Sequence, residues 1–259
     1  MRIALFRPLE LASLLGAIPA LRALDAAYPH AEITLIGLRR LREVAARLHR
    51  YLDAFAAFPG FPGIPATECD LDAIPAFFER MKAARFDLAI QMHGAGEIAN
   101  PLMVLMGAAR NAGFYRPGRY CPDAQRYLEW REDEDDVQRW LRLVEHLGAR
   151  AKGTFLEFPL EPEDWAQWRA LQLDDYVCLD RAAQPQRYAE VGDALAAEGW
   201  NVVPISLAER NSLGGTAAVI AKARLVVSND PATALLAAAM RTPTARTLSE
   251  AREVLARAA

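Results

Sequence analysis

The stretch RIALFRPLELASLLGAIPALRALDAAYPHAEITLI, residues 2–36, decides the fold class. Its first residues, Arg2–Phe6, form a short apolar run typical of a buried strand. The segment Glu32–Ile36 (EITLI) alternates in polarity and is rich in β-branched residues, which predicts a second strand. Between the two, Leu11–Ala27 repeats apolar residues at helical spacing. A strand, a helix and another strand in this order indicate parallel pairing with a crossover helix, the unit of an α/β protein.

The same alternation continues through the rest of the chain in two blocks. In the first block we predict a helix at Leu41–His49, a strand at Leu52–Phe58, a helix at Asp70–Arg85 with Asp70 as its N-cap, a strand at Phe86–Met92 and a helix at Val137–Leu147. In the second block the predicted elements are Tyr176–Leu179, Gln186–Glu198, Asn201–Ile205, Ser212–Lys222, Leu225–Ser228, Pro231–Met240, Thr242–Ala245 and Ser249–Ala258. We therefore expect two Rossmann-like lobes, residues 1–160 and a reduced second lobe at 175–259, joined by a linker helix at 161–174.

Composition excludes several classes of protein. Of the 259 residues, 53% are hydrophobic and 24% charged, which favours a packed globular core over disorder. The net charge of -3 and the dispersed basic residues argue against a nucleic-acid binder. The densest basic group runs from Arg39 to Arg50 at helical spacing, which favours a solvated helix face over a polyanion site. Three cysteines without a CxxC pair predict neither a disulfide framework nor a zinc site. No signal peptide or membrane span is recognisable, so we expect a cytoplasmic protein.

Several stretches resemble one enzyme family. They are residues 19–24 with 28–37, residues 91–101, residues 113–118, and AKARLVVSND at 221–230 followed by 236–239 and 242–244. These segments resemble the family 9 glycosyltransferases, which include the heptosyltransferases of lipopolysaccharide inner-core assembly. The resemblance implies a two-lobed GT-B fold, with an acceptor in the first lobe and a nucleotide sugar such as ADP-heptose in the second. It also implies inversion at the anomeric carbon without an essential metal or other cofactor.

The catalytic base of the family is altered in this chain. In the family the base is the Asp of a Gly-Asp pair, six residues before the Pro of the PAL motif, and those two positions are Ala12 and Ser13 here. A Ser hydroxyl has no useful basicity near neutral pH unless another group activates it. Glu10 is the nearby carboxylate that could substitute. Glu10 also has a structural interpretation, because acids are favoured in the first turn of a helix.

The family's diphosphate loop is also altered. Its pattern is Asp-Thr-Gly-x-x-His, and the resemblance therefore implies donor binding for Asp230, while Pro231, Ala232 and Leu235 replace the Thr, Gly and His. An added methyl group at the glycine position hinders close approach of a phosphate to the backbone. Asp230 followed by Pro231 is a good helix start in its own right, so capping competes with ligand binding.

Two further donor positions follow from the resemblance. The family's His-Pro-Gly-Ala segment corresponds to residues 180–183, where Arg181 could supply positive charge to the diphosphate, as could Arg187. Glu209 matches the family's ribose-binding acid. Surface positions are common for both residue types, so a purely solvated role stays open for each.

Three residues of the first lobe are candidates for acceptor binding. His93 follows a predicted strand beside Gly94 and Gly96, and ligands of open α/β sheets bind at such carboxyl ends. Asn100 accompanies this segment. Arg116 lies in a predicted loop, and its guanidinium could bind an acceptor phosphate. The alternatives are a structural hydrogen bond for His93 and a surface turn for Arg116.

Two functions from different classes remain open. The first is a sugar transferase of lipopolysaccharide or other glycan assembly, with an ADP-sugar donor and a glycan or lipid-linked acceptor. The second is an inactive relative that serves as a binding or scaffolding module. The altered residues Ser13, Ala182, Ala232 and Leu235 all fall on positions of chemistry, which favours the second for activity. Peripheral membrane contact and a protein partner that completes the site are open in both cases, and nucleic acid is not an expected partner.

Overall fold

A computed structural model describes residues 1–64, 69–172, 174–180, 185–207 and 213–258. The chain divides into two compact units, the N-terminal unit Met1–Thr154 and the C-terminal unit Phe155–Ala259. Each unit has its own parallel sheet with helices, so the predicted α/β class with two Rossmann-like lobes is confirmed.

The N-terminal unit is built on a parallel sheet of six strands among its described residues. The strands are β1 (Arg2–Phe6), β2 (Glu32–Gly37), β3 (Ala54–Ala57), β4 (Leu88–Gln91), β5 (Asn111–Tyr115) and β6 (Tyr127–Glu129). Their order is β3-β2-β1-β4-β5-β6, the order of a doubly wound dinucleotide-binding domain. From β1 the chain adds β2 and β3 on one side and β4, β5 and β6 on the other. The boundary between β1 and β4 is therefore the topological switch point, where such sheets bind ligands.

Most helices of this unit connect consecutive strands, and the last one follows the sixth strand. They are α1 (Leu11–Gly16), α2 (Ile18–Ala27), α3 (Arg42–Arg47), α4 (Ala73–Ala84), α5 (Ala99–Leu105) and α6 (Asp136–His146). The single helix predicted over Leu11–Ala27 is wrong in one respect, because it breaks at Ala17. Pro19, near the start of the second helix, has no N–H to donate and interrupts the hydrogen-bond ladder.

Strands β5 and β6 and helix α5 extend this unit beyond the predicted elements. A Cβ at Gly113 in β5 would lie 2.8 Å from the Gln91 Cβ and 3.0 Å from the Tyr127 ring, so only glycine fits between these neighbours. The apolar face of α4 buries Phe77 and Met81 against the sheet. Asp70, predicted to cap this helix, accepts the Ala73 N–H at 3.2 Å from a turn that precedes it.

The C-terminal unit has a smaller parallel sheet, of four strands among its described residues. They are β7 (Val177–Asp180), β8 (Val202–Ile205), β9 (Leu225–Val227) and β10 (Thr244–Ala245), in the order β10-β9-β7-β8. Its helices are α7 (Trp165–Leu171), α8 (Pro185–Ala197), α9 (Leu213–Lys222), α10 (Pro231–Ala239) and α11 (Leu248–Ala258). The switch point of this sheet lies between β7 and β9.

The predicted linker segment contains α7, which packs against α9 of the C-terminal unit. Trp165 and Trp168 form an edge-to-face pair, with the Lys222 Nζ 5.7 and 5.6 Å from their ring centroids. The core of the unit lies between the sheet and α8 and α11, around buried residues such as Val177, Leu195 and Leu255. Within the described part of the chain, no helix is both long and apolar enough to cross a membrane.

Candidate functional site

Arg7 follows β1 at the switch point of the N-terminal unit, and its buried guanidinium hydrogen-bonds backbone carbonyls there. Its Nε and Nη2 donate to the Ser13 carbonyl at 2.9 and 2.6 Å, and its Nη1 donates to the Met92 carbonyl at 2.7 Å. The guanidinium carbon lies 4.3 Å from the centroid of the Trp140 ring. Burial lowers the pKa of Arg7 to about 9, so the group is charged at neutral pH. Arg7, directly after β1, thus links the residue that follows β4 to helix α1 through hydrogen bonds.

Glu10 and Ser13, the two candidates for the catalytic base, lie at the start of α1. Glu10 is the N-cap residue of α1, but its side chain makes no capping bond. Both carboxylate oxygens instead pair with the guanidinium of Arg40, with the Nε at 3.2 Å from Oε2. Ser13 is half-buried and holds Arg7 through its carbonyl. Among the described residues, no carboxylate or imidazole hydrogen-bonds the Ser13 hydroxyl.

A buried amide network shapes the loop after β4. The Gln91 Nε2 donates to the Gly94 carbonyl at 3.2 Å and to the Asn100 Oδ1 at 3.3 Å. The Asn100 Nδ2 in turn donates to the carbonyls of Phe114 and Tyr120 at 3.0 and 3.3 Å. Asn100 is only 1% exposed. The structure therefore places Asn100 as a support of the loop, inside the protein.

His93 is held by the same network. Its N–H donates to the Gln91 Oε1 at 3.0 Å, and its ring centroid lies 6.0 Å from that of Phe6. The His93 Nε2 is buried and has no hydrogen-bond partner among the described residues. Burial lowers the pKa of His93, and the positive charge of Arg7 lowers it further, against the effect of a backbone hydrogen bond that raises it. The imidazole is consequently neutral at pH 7, and its buried Nε2 is left without a partner among the described residues.

His93 and Arg116 line one cavity of about 200 Å³. At ~30 Å³ for each water, it has room for about six or seven waters, which suits one sugar ring or one phosphate group. The Arg116 guanidinium is half-exposed and pairs with Glu132 at 2.7 Å and with Glu97 at 3.8 Å. The structure thus brings two of the three predicted acceptor residues to one cavity, with Asn100 behind it.

The switch point of the C-terminal unit carries a buried carboxylate that the sequence did not single out. Asp180 ends β7 and is 2% exposed. Its Oδ2 accepts the Ser228 hydroxyl at 2.9 Å and the Thr233 hydroxyl at 2.7 Å. These bonds join the end of β7 to the turn after β9 and to the start of α10. A carboxylate directly after an apolar strand, as in VCLD at 177–180, is the signal that could have found it.

Asp230 caps helix α10. Its Oδ2 accepts the Thr233 N–H at 2.7 Å, and its own N–H donates to the Ser228 hydroxyl at 2.9 Å. Pro231 occupies the first turn of the helix, where its missing N–H has no cost. The capping interpretation of Asp230 is therefore confirmed.

The other donor candidates, Arg181 and Glu209, lie outside the described residues. Within the described part of the chain, no group of three or more His, Cys, Asp or Glu side chains is placed to hold a metal ion. Chemically, the N-terminal unit offers a neutral imidazole, a guanidinium and a carboxylate at one edge of its sheet. The C-terminal unit offers a helix N-terminus with two carboxylates beside it.

No protein-family model matches the chain, and no curated protein sequence matches it. Solved structures do match. A family 9 glycosyltransferase from Veillonella parvula aligns with a TM-score of 0.72 and 18% identity, over 94% of this chain and 80% of that one. The ADP-heptose lipopolysaccharide heptosyltransferase II of E. coli gives 0.72 and 15%, over 94% and 83%. The E. coli heptosyltransferase WaaC with ADP gives 0.66 and 18%, over 94% and 86%.

These identities are low, so the likeness is one of fold. The chain has the two-lobed GT-B architecture of the family 9 and heptosyltransferase structures, over nearly its whole length. The resemblance inferred from the sequence is confirmed at that level.

Proposed function

We propose that this chain is a glycosyltransferase-like protein of the heptosyltransferase type, related to sugar transfer from a nucleotide sugar to a lipopolysaccharide or other glycan acceptor. The observation that carries the proposal is the shared fold over 94% of the chain, including structures described with ADP and with ADP-2-deoxy-2-fluoro heptose. A fold common to such structures supports a nucleotide sugar as ligand, with an ADP-sugar as the first candidate.

In this proposal the acceptor binds at the cavity of His93 and Arg116. The free Nε2 of neutral His93 would accept or donate a hydrogen bond to a sugar hydroxyl. Arg116 would bind an acceptor phosphate, for which it would exchange part of its pairing with Glu132 and Glu97. The cavity volume favours recognition of a single sugar or phosphate of a larger acceptor.

The donor belongs to the C-terminal unit in this proposal. The start of α10, at Asp230, presents the positive end of a helix dipole, which favours a diphosphate. Arg181 would add positive charge, and Glu209 would bind the ribose. Asp180 opposes this binding in part, because its buried carboxylate lies at the same helix start.

The chemical step needs a base that removes the proton from the acceptor hydroxyl as its oxygen attacks the anomeric carbon and the nucleoside diphosphate leaves. Glu10 fits this role better than Ser13, since it is ionisable and lies at the carboxyl edge of the sheet. It would first have to leave Arg40. Transfer that persists in a Glu10→Gln variant would remove Glu10 from this role.

Three observations favour the second candidate, an inactive binding or scaffolding module. The Glu10 carboxylate is committed to Arg40, the Ser13 hydroxyl has no base among the described residues, and Asp180 brings negative charge to α10. As such a module, the protein would use its fold and binding surfaces to bind a ligand or partner without catalysing sugar transfer.

Calorimetric titration of the chain with ADP, an ADP-sugar and a UDP-sugar separates the two candidates. The transferase proposal predicts binding of ADP and the ADP-sugar at submillimolar concentration, and weaker binding in a Glu209→Ala variant. An Asp193→Ala variant, which removes an exposed acid of α8, is the matched control and should bind as the native chain does. Absence of binding of all three ligands up to millimolar concentration would contradict the proposal.

A further inference from the structure

A second, larger cavity of the N-terminal unit is lined by arginines. It has a volume of about 1380 Å³ and lies at the carboxyl ends of β2 and β3, with Arg39, Arg40, Arg42 and Arg80 in its wall. We call it the arginine cavity. Asp70 is the one acidic side chain among its described lining residues. Its carboxylate already accepts the Ala73 N–H.

The fold brings these arginines together from separate parts of the sequence. Arg39 and Arg40 lie in a short 3-10 turn directly after β2, and Arg42 begins α3. Arg80 comes from α4, where its side chain is exposed. The spacing of the basic group predicted a solvated helix face. Three of its arginines, Arg39, Arg40 and Arg42, instead line a concave site.

Most of this positive charge has no carboxylate partner among the described residues. Arg40 pairs with Glu10. For Arg39, Arg42 and Arg80, no carboxylate partner occurs among the described residues. Like charges that converge on one concave surface repel each other, and a bound anion relieves that repulsion.

Arg42 also contacts an aromatic ring. Its guanidinium carbon lies 5.0 Å from the centroid of the Phe55 ring, a cation–π contact. The Phe55 ring in turn lies against Gly37 of the neighbouring strand, where a Cβ would be only 3.1 Å away. A charged group held over a ring loses less freedom when it binds a ligand than a mobile surface arginine does.

We propose that the arginine cavity binds a small soluble ligand that carries two or more phosphate groups. Guanidinium groups bind phosphate oxygens through paired N–H donors, and several of them around one cavity select for more than one phosphate. The small side chains of Ala56, Ala57 and Ala73 leave the space open. The cavity shares no lining residue with that of His93 and Arg116, so this site goes beyond the proposed function and does not depend on it.

Calorimetric titration of the full chain with inorganic phosphate, pyrophosphate and tripolyphosphate tests the proposal. We expect affinity to rise in that order and to fall as NaCl is raised. The double variant Arg42→Ala/Arg80→Ala should weaken pyrophosphate binding at least tenfold. Arg39→Gln, a single change of an exposed side chain, should weaken it several-fold and serves if the double variant does not fold. Arg110→Ala, at the opposite edge of the sheet, is the control and should bind as the native chain does.

Several results would overturn this assignment. They are absence of pyrophosphate binding at millimolar concentration, binding that both cavity variants leave unchanged, and equal weakening in Arg110→Ala. Capture of the chain by phosphatidylglycerol vesicles without binding of soluble pyrophosphate would also contradict it. The two proposals fail separately: pyrophosphate binding that the double variant leaves unchanged removes the arginine cavity, and ADP binding that Glu209→Ala leaves unchanged removes the donor site proposed above.

Discussion

Arg7 is the residue on which the geometry of the N-terminal site depends most. It is a buried cation whose three hydrogen bonds all end on backbone carbonyls, so it fixes the main chain at both exits of the switch point. Hydrogen bonds from a charged donor contribute about 1.5–3 kcal/mol each, more than neutral ones do. Its contact with the Trp140 ring keeps the charge favourable despite its burial.

We predict that Arg7→Met lowers the free energy of unfolding by about 2–4 kcal/mol, because the buried Met92 carbonyl and the partly buried Ser13 carbonyl lose a charged donor. Urea unfolding measures this loss. Arg110→Met, which changes an exposed arginine of the same unit, should stay within about 0.5 kcal/mol of the native chain. Equal stability of the two variants would show that the hydrogen bonds of Arg7 do not stabilise the fold.

His93 gives a pH dependence of stability with a definite sign. Burial lowers its pKa in the folded chain below the unfolded value of about 6.5. As the pH falls through about 6.5, the unfolded chain therefore binds a proton that the folded chain does not, and acidification favours unfolding. Between pH 7.5 and 5.5 the native chain should lose more thermal stability than His93→Gln does. His30→Gln, at an exposed position, should follow the native profile, and identical profiles for all three proteins would contradict the prediction.

At the scale of an element, the loop between β4 and α5 depends on two glycines in different ways. Both have a positive φ, +71° for Gly94 and +83° for Gly96. A Cβ at Gly94 meets nothing within 4 Å, whereas at Gly96 it would lie 2.4 Å from the Asn100 amide. The loop that carries His93 therefore requires glycine at 96 for space as well as for backbone conformation.

This difference predicts unequal effects of two equivalent substitutions. Gly94→Ala should cost about 1–2 kcal/mol, the backbone strain alone. Gly96→Ala should cost more, since it also displaces Asn100 and with it the bond to Phe114. Thermal unfolding of the two variants measures the difference. A smaller loss for Gly96→Ala than for Gly94→Ala would contradict this description of the loop.

The elements that could be predicted from the sequence are those with a local signal in their own residues, such as an apolar run or a helix N-cap. The apolar run at Phe86–Met92 predicts β4, and Asp230 with Pro231 predicts the start of α10. Strand β5 was missed, because Gly113 weakens its local signal and fits only against Gln91 of another strand. The pairing of Glu10 with Arg40 joins residues 30 positions apart, so sequence spacing could not indicate it.

At the scale of the whole molecule, the chain contains two units, each with its own sheet and buried core. We predict that residues 1–154 fold when produced alone, because their six strands and helices bury a core without the second unit. A cooperative thermal transition and dispersed amide signals in an NMR spectrum would confirm this. A fragment without cooperative unfolding would contradict the division of the chain.

Binding of a nucleotide sugar is the property on which the proposed relation to sugar transfer depends. Calorimetric titration of the full chain with ADP-heptose tests it most directly. We expect saturable binding at submillimolar concentration that becomes tighter in an Ala232→Gly variant, since a glycine there lets a diphosphate approach the backbone of α10 more closely. Failure of both proteins to bind at millimolar concentration would contradict the proposed relation to sugar transfer.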